Sequence, residues 1–333
     1  MSIKILSCGT SLPKNSVKVD DIFCDIKLDQ QYGIANNWMS EKMGIHEIRV
    51  SEPGTRPSEL AIQAAEKALA EQPDINRDDI GMVLFCGIER DQTEPATAHN
   101  VNKELGLSAT DVWDTSNACF GFIDGLKTAR NAILCGDIKY ALVCTGEVQA
   151  NHIDSFTRQL KAGVPANVAR NLLGYFSLGD AGGAVLLGRS EDESGLTTFN
   201  NLVYSKHLDK CYYRPRADGE IEGAMHMAKI VFHGFRMQEK LWRETMQKIG
   251  WEKFDWLLTH QTGKRNFEQI AGLNVVQPRQ MVKTYKKLGN ITSATFPVSF
   301  EKLLKKYKPK KGDQTLNCFA GSGLVVGQFG YTF

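Results

Sequence analysis

Three residues have the types and surroundings that nucleophilic chemistry requires. Cys119 lies in Asp114-Thr115-Ser116-Asn117-Ala118-Cys119-Phe120-Gly121-Phe122, where small polar residues give way to an apolar helical pattern. A cysteine at a helix N-terminus faces free N–H groups and the positive end of the dipole, and both favour the thiolate. Free cysteine is also among the residues most often buried, so this placement alone does not make a nucleophile. His260 follows the apolar run Leu257-Leu258-Thr259, so a strand presents it at its C-terminal tip. Asn290 follows Leu288-Gly289 and opens another helical stretch. A thiol, an imidazole and a carboxamide brought together supply a nucleophile, a proton-handling ring and a neutral hydrogen-bond donor. Gly321-Ser322-Gly323 adds a tight turn whose backbone can approach closely and aim an N–H at a developing oxyanion. Each has a bland reading alone, as a core thiol, a satisfied histidine, a turn asparagine and a turn. Their recurrence where strand ends meet helix starts, the usual place for α/β ligand sites, points to one centre.

The elements that must position them alternate between short apolar runs and amphipathic stretches. Residues 3–8 (IKILSC) read as a strand, and Ser58 to Glu71 as a helix with Leu60, Ala61, Ala64, Ala65, Ala68 and Leu69 on one side. Ile80 to Gly87 is apolar enough to be buried on both faces. A charged loop with Glu94 and Pro95 follows, then a helix over about 96–105, the Cys119 helix and the strand 140–145. The second half repeats this order: a helix over 235–248, a strand over 254–259, a helix over 291–307 and a strand over 315–319. The Gly-Asp turns at Gly136 and Gly312 stand 176 residues apart, and the strands at Val83 and Leu257 stand 174 apart. A near-constant offset predicts two copies of one α/β unit, layered into a duplicated five-layer αβαβα fold. The division is expected at 170/171, with a 1–170 half carrying the cysteine and a 171–333 half carrying the histidine and asparagine. The stretch 147–235 interrupts the repeat and reads as insertions covering the site.

At 333 residues the chain can bury a large core, and a net charge of +2 argues against a nucleic-acid binder. The eight cysteines show no CxxC spacing, which argues against a metal centre and fits reduced thiols in a cytoplasmic protein. No run approaches the length of a membrane span, and the N-terminus reads as a strand and turn rather than a signal peptide.

Taken together, Asn117-Ala118-Cys119-Phe120-Gly121, Leu178-Gly179-Asp180-Ala181-Gly182-Gly183-Ala184, His260-Gln261, Gly289-Asn290 through Pro297, and Gly321-Ser322-Gly323 before Gly327 resemble the β-ketoacyl-ACP synthase III branch of the thiolase superfamily. The resemblance covers essentially the whole chain. It implies a thiolase-like fold, a homodimer, and acyl-thioester Claisen condensation in fatty-acid or related lipid biosynthesis, with no cofactor beyond the CoA or acyl-carrier-protein thioesters. By the same resemblance Cys119 takes the acyl group, while His260 and Asn290 assist carbanion formation and hold the second thioester oxygen. The N–H groups of Cys119 and Gly323 form the oxyanion hole. Trp38 and Lys42 face the CoA nucleotide, and Arg265 meets an acidic acyl carrier protein, since phosphates and an acidic partner both want cations.

The chain also departs from that pattern. Gly263 stands where the family has the Asn of His-Gln-Ala-Asn, and Ile291-Thr292-Ser293-Ala294-Thr295 replaces Thr-Ser-Ala-Ala-Ser. Arg90-Asp91-Gln92-Thr93-Glu94-Pro95-Ala96-Thr97 looks more like the OleA-type head-to-head condensing group, where a glutamate from the partner protomer deprotonates a second acyl chain. Glu94 is the matching position. Malonyl groups generate a carbanion by losing carbon dioxide, whereas a plain acyl-CoA needs a base at its α-carbon. An acyltransferase to an alcohol or amine, or a non-catalytic subunit of a heteromeric synthase, are the competing expectations. A dinucleotide site is rejected because Gly179 to Gly183 does not read GxGxxG. A papain-like hydrolase does not account for the duplication.

Overall fold

The computed structural model describes residues 2–273 and 276–333. The apolar runs form two sheets of the same design. In the first, Ile3–Ser11, Ala181–Arg189, Tyr140–Glu147, Ile80–Phe85 and Asp111–Asp114 lie side by side in that order. The first two pairings are antiparallel and the next two parallel. In the second sheet, Gly195–Leu196 and Asn200–Val203 pair antiparallel with Val325–Thr332, followed by Gln314–Gly321 (antiparallel) and Trp256–Thr259 (parallel). A parallel bridge from Leu257 to Met281 extends the sheet one step beyond Trp256–Thr259. The pattern of directions is identical, which gives the duplication a structural form.

Two central helices, Gly121–Cys135 and Thr295–Lys302, lie between the sheets. Their apolar faces join one core: Phe122, Leu126, Ala129 and Ile133 from the first, Phe296 and Phe300 from the second, with strand residues of both sheets. The helices meet where Phe122 and Phe296 rings lie 5.9 Å apart. Pro57–Ala70 and Thr97–Glu104 cover the outer face of the first sheet. Met227–Ile249 covers the second. Five layers result. Two glycines make the close approach possible: a Cβ at Gly183 would sit 2.3 Å from Pro297 Cγ, and one at Gly146 only 1.8 Å from the Pro57 carbonyl oxygen.

Three expectations are corrected. The sheets divide between Arg189 and Gly195 rather than at 170/171, because Ala181–Arg189 completes the first sheet by pairing with Ile3–Ser11 and Tyr140–Glu147. The 147–235 stretch is therefore not wholly an insertion. Its added parts are the helices Ala150–Ala162 and Ala166–Leu172 and the hairpin Cys211–Pro215/Ile221–Met225. The continuous helix expected over 291–307 begins with the turn Thr292–Ala294 and becomes regular only at Thr295. Among the described residues no helix is long and apolar enough to cross a membrane.

Gly146→Ala should cost about 3 kcal/mol in chemical denaturation, since a backbone carbonyl must yield. Gly272→Ala, at an exposed position of the helix Lys264–Leu273 with nothing within 4 Å, should instead stabilise by about 1 kcal/mol.

Candidate active site

Cys119, His260 and Asn290 line one cavity of about 390 Å³. Cys119 sits in the short turn Ala118–Phe120, just ahead of the first central helix. Asn290 occupies the matching place ahead of the second. Each start carries a non-glycine residue in the left-handed region, Ala118 at φ 48° and Thr292 at φ 47°. Strain of this kind costs about 1–3 kcal/mol and persists only where surrounding structure over-determines it. The Gly321-Ser322-Gly323 turn presses against the Cys119 turn: a Cβ on Gly321 would lie 2.9 Å from Phe120 Cβ. Gly323 has φ 120°, which a side chain would strain. Gly321, Ser322 and Leu324 line the cavity on either side of it.

The Leu178–Ala184 segment sets the place of Asn290. The Asn290 N–H donates to the Ser177 carbonyl at 2.7 Å, and the Gly179 N–H donates to the Asn290 carbonyl at 3.2 Å. A Cβ at Gly179 would strike the Leu288 carbonyl oxygen at 2.3 Å. The Thr292 N–H donates to Asn290 Oδ1 at 3.0 Å. The Nδ2 amide makes no hydrogen bond among the described residues and remains available to a ligand. Asp180 accepts from the backbone N–H groups of Gln149 and Ser51, which braces the same corner.

His260 ends its strand as expected, with its N–H on the Cys318 carbonyl at 3.0 Å. The side chain is buried and Nδ1 has no hydrogen-bond partner among the described residues. Burial holds its pKa down at about 4, so the ring is neutral near pH 7. Cys119 departs from expectation. Its thiol is pushed up, first by burial and then by Cys211 and Glu147, against a smaller backbone hydrogen-bond effect. Desolvation thus outweighs the helix end, and the resting pair is a thiol beside a neutral imidazole.

The departure at Gly263 has a steric reason. Its φ is 136° and a Cβ would meet the Met43 carbonyl oxygen at 2.9 Å. Asn266, one turn further on, supplies an amide instead, and its Nδ2 donates to the His260 carbonyl at 3.2 Å.

Trp38, Lys42 and Arg265 come together in a second cavity of about 740 Å³. It adjoins the first through Met225, Val231, Thr262 and Asn266, which line both. Arg170 and Lys229 line the outer cavity too. Both come from the 147–235 stretch, and no spacing signal in the chain marks them. Glu94 lies elsewhere. Its loop is braced by Asp91, which accepts from the Ser58 N–H at 2.9 Å, and by Gln92 Nε2 on the Pro95 carbonyl at 2.9 Å. Glu94 projects exposed from that loop and does not line the cavity of its own chain. Sequence reasoning also missed Tyr213, which lines the cavity and hydrogen-bonds Glu89, and the buried Glu147.

A duplicated sheet pair, two central helices and a thiol, imidazole and carboxamide on one cavity define a thiolase-fold condensing enzyme, an acyltransferase. The 3-oxoacyl-[acyl-carrier-protein (ACP)] synthase III family model matches residues 113–203, and the model of that family's C-terminal region matches residues 246–331, together just over half of the chain. β-Ketoacyl-[acyl-carrier-protein] synthase III of Rickettsia akari (strain Hartford) is 26% identical over 340 residues, and that of Rickettsia massiliae (strain Mtu5) 28% over 342. Both alignments cover 98% of each chain. Cerulenin-bound Xanthomonas campestris OleA superposes with a TM-score of 0.93 at 24% identity, over 100% of this chain and 97% of that one. A cysteine-to-serine variant of OleA with bound lauric acid and lauroyl-CoA gives 0.93 at 24%, over 100% and 99%. The chain belongs to the 3-oxoacyl-[acyl-carrier-protein] synthase III family.

The state of His260 makes stability depend on pH. The folded imidazole takes a proton only near pH 4, whereas the unfolded one does so near 6.5. Between these values the unfolded chain holds more protons, so acid favours unfolding, by about 2 kcal/mol at pH 5. His260→Asn should lose less stability than the wild type between pH 7 and pH 5 in urea titrations.

Proposed function

We propose that the protein joins two acyl thioesters by Claisen condensation through an acyl-Cys119 intermediate. The observation that carries this reading is the meeting of Cys119, His260 and Asn290 on one cavity that adjoins a cationic outer one. An acyl thioester enters with its carrier in the outer cavity, where Lys42 and Arg265, with Arg170 and Lys229, offer charge to phosphates or to an acidic carrier protein, and Trp38 offers a ring to the nucleotide. His260, neutral at rest, takes the Cys119 proton as sulfur attacks the thioester carbon. The Cys119 and Gly323 N–H groups receive the oxyanion. The carrier thiolate leaves with a proton. A second thioester then binds with its carbonyl oxygen between His260 and the free amide of Asn290. Its carbanion, formed as a malonyl group loses carbon dioxide, attacks the acyl carbon, the C–C bond forms, and the Cys119 thiolate departs and regains a proton. The reading needs no bound cofactor, and we place the enzyme in the cytoplasm as a homodimer acting in fatty-acid or related lipid biosynthesis.

The exposure of Glu94 favours a second reading of the carbanion step. In this reading the Glu94 carboxylate, exposed and outside its own cavity, serves a partner's, where it removes the α-proton of a plain acyl-CoA in a non-decarboxylative, head-to-head condensation.

Intact-protein mass spectrometry with a panel of acyl-CoAs, with and without malonyl-CoA or malonyl-ACP, tests both. The expected result is an acyl adduct on the wild type and none on Cys119→Ala. Product only with malonyl marks the decarboxylative route. Product from acyl-CoA alone, lost in Glu94→Gln, marks the head-to-head route. Absence of an adduct with every thioester contradicts the proposal.

A further inference from the structure

The steps above leave one buried acid without a role. Glu147 ends the strand Tyr140–Glu147 and is wholly buried. Among the described residues no cation pairs with it. Its carboxylate accepts the Ile88 N–H at 3.1 and 3.3 Å and the Ser293 hydroxyl, and Gln149 Nε2 approaches at 3.5 Å. Ile88, Gln149 and Thr292, the neighbour of Ser293, all line the cavity that holds Cys119. Thr292 in turn holds Asn290 by its Oδ1.

A buried acid without a counter-ion is expensive, and an apolar residue would fill the same space at lower cost. The hydrogen bonds explain how the site tolerates it. Ser293 Oγ lies between Glu147 and Thr145, whose hydroxyl is 2.5 Å away. With Glu147 ionised, Ser293 donates to it. With Glu147 protonated, the acid donates to Ser293 and the serine hydroxyl turns to Thr145. The tie therefore survives in both states, and only the charge changes. The groups that sense or oppose this charge are Glu89 on the neighbouring loop, Tyr213 on the hairpin and Cys119 on its turn, none of them cationic. Asp180 is held beyond Gln149 by backbone N–H groups.

We propose that Glu147 is a positioning residue of the condensation: it locks the Asn290 turn, the Gln149 corner and the Ile88 wall together, and its charge opposes formation of the Cys119 thiolate. Burial raises its pKa to about 7, so that charge appears near neutral pH. The thiol responds in the expected direction, since Glu147 is among the groups that push it up.

The inference rests on Cys119 as the acyl acceptor, and its test separates the two ideas because the adduct is scored independently of its rate. Acyl loading by rapid-quench mass spectrometry and condensation kcat and KM are measured between pH 5.5 and 9 on the full enzyme. Glu147→Gln keeps the shape and, through its one carbonyl oxygen, the acceptor for the Ile88 N–H and the Ser293 hydroxyl, but removes the charge. It should abolish the wild-type inflection near pH 7 and raise loading above that pH by about tenfold, the effect of one unit in thiol ionisation. Glu147→Ala removes the tie and should lower condensation kcat by about 100-fold, with the Cys119 adduct still formed and KM nearly unchanged. A Glu147→Gln profile that retains the inflection overturns the proposal, whether or not the alanine variant folds. Wild-type condensation by Glu147→Ala does so as well.

Discussion

Two groups face one cavity in this protein with their pKa values pushed apart by the same loss of water. Burial raises the Cys119 thiol and lowers the His260 imidazole, so both rest uncharged. A charge formed there costs more than in water, and a dipole aimed at it is worth more. This constraint accounts for the rest of the site. The uncharged Asn290 amide and His260 imidazole line this cavity, while the cationic side chains of Lys42, Arg170, Lys229 and Arg265 line the outer one.

The duplicated architecture supplies the geometry. Cys119 and Asn290 each stand just ahead of a central helix, the first after the strand Asp111–Asp114 and the second after the short helix Tyr285–Leu288, so they arrive at equivalent places from opposite halves. Packing of Phe122 on Phe296 sets the spacing between the helix starts. The strained residues Ala118 and Thr292 mark where regular helix geometry yields to the placement of a functional side chain. Hydrogen bonds from Ser177 and Gly179 fix Asn290 from the first sheet's side, so the second half's carboxamide is positioned by the first half's backbone.

Much of this was legible in the chain because it depends on local pattern. The apolar runs, the 174–176-residue offset and the residues before each helix foretold the two sheets and the meeting of Cys119, His260 and Asn290. Trp38, Lys42 and Arg265 were legible through resemblance alone, and the structure does bring them to one cavity. What was not legible depends on tertiary burial. Whether the helix end or desolvation governs Cys119 is decided by walls drawn from distant segments, among them the hairpin at 211–225. Glu147 fell at the start of the 147–235 stretch read as insertions, since nothing beside it in sequence announces Ile88 or Ser293 as partners. The boundary at 170/171 missed that Ala181–Arg189 returns to the first sheet, because a strand's own residues do not say which sheet it pairs with.

The most direct test of the central claim is the pH dependence of Cys119 alkylation by a small uncharged reagent in the substrate-free enzyme, with Cys119→Ala as background. A thiol held protonated by burial predicts a rate that still rises beyond pH 9, the ordinary value for the group. A plateau reached below about pH 7.5, the range of thiolates stabilised by a helix end or a cation, would contradict it.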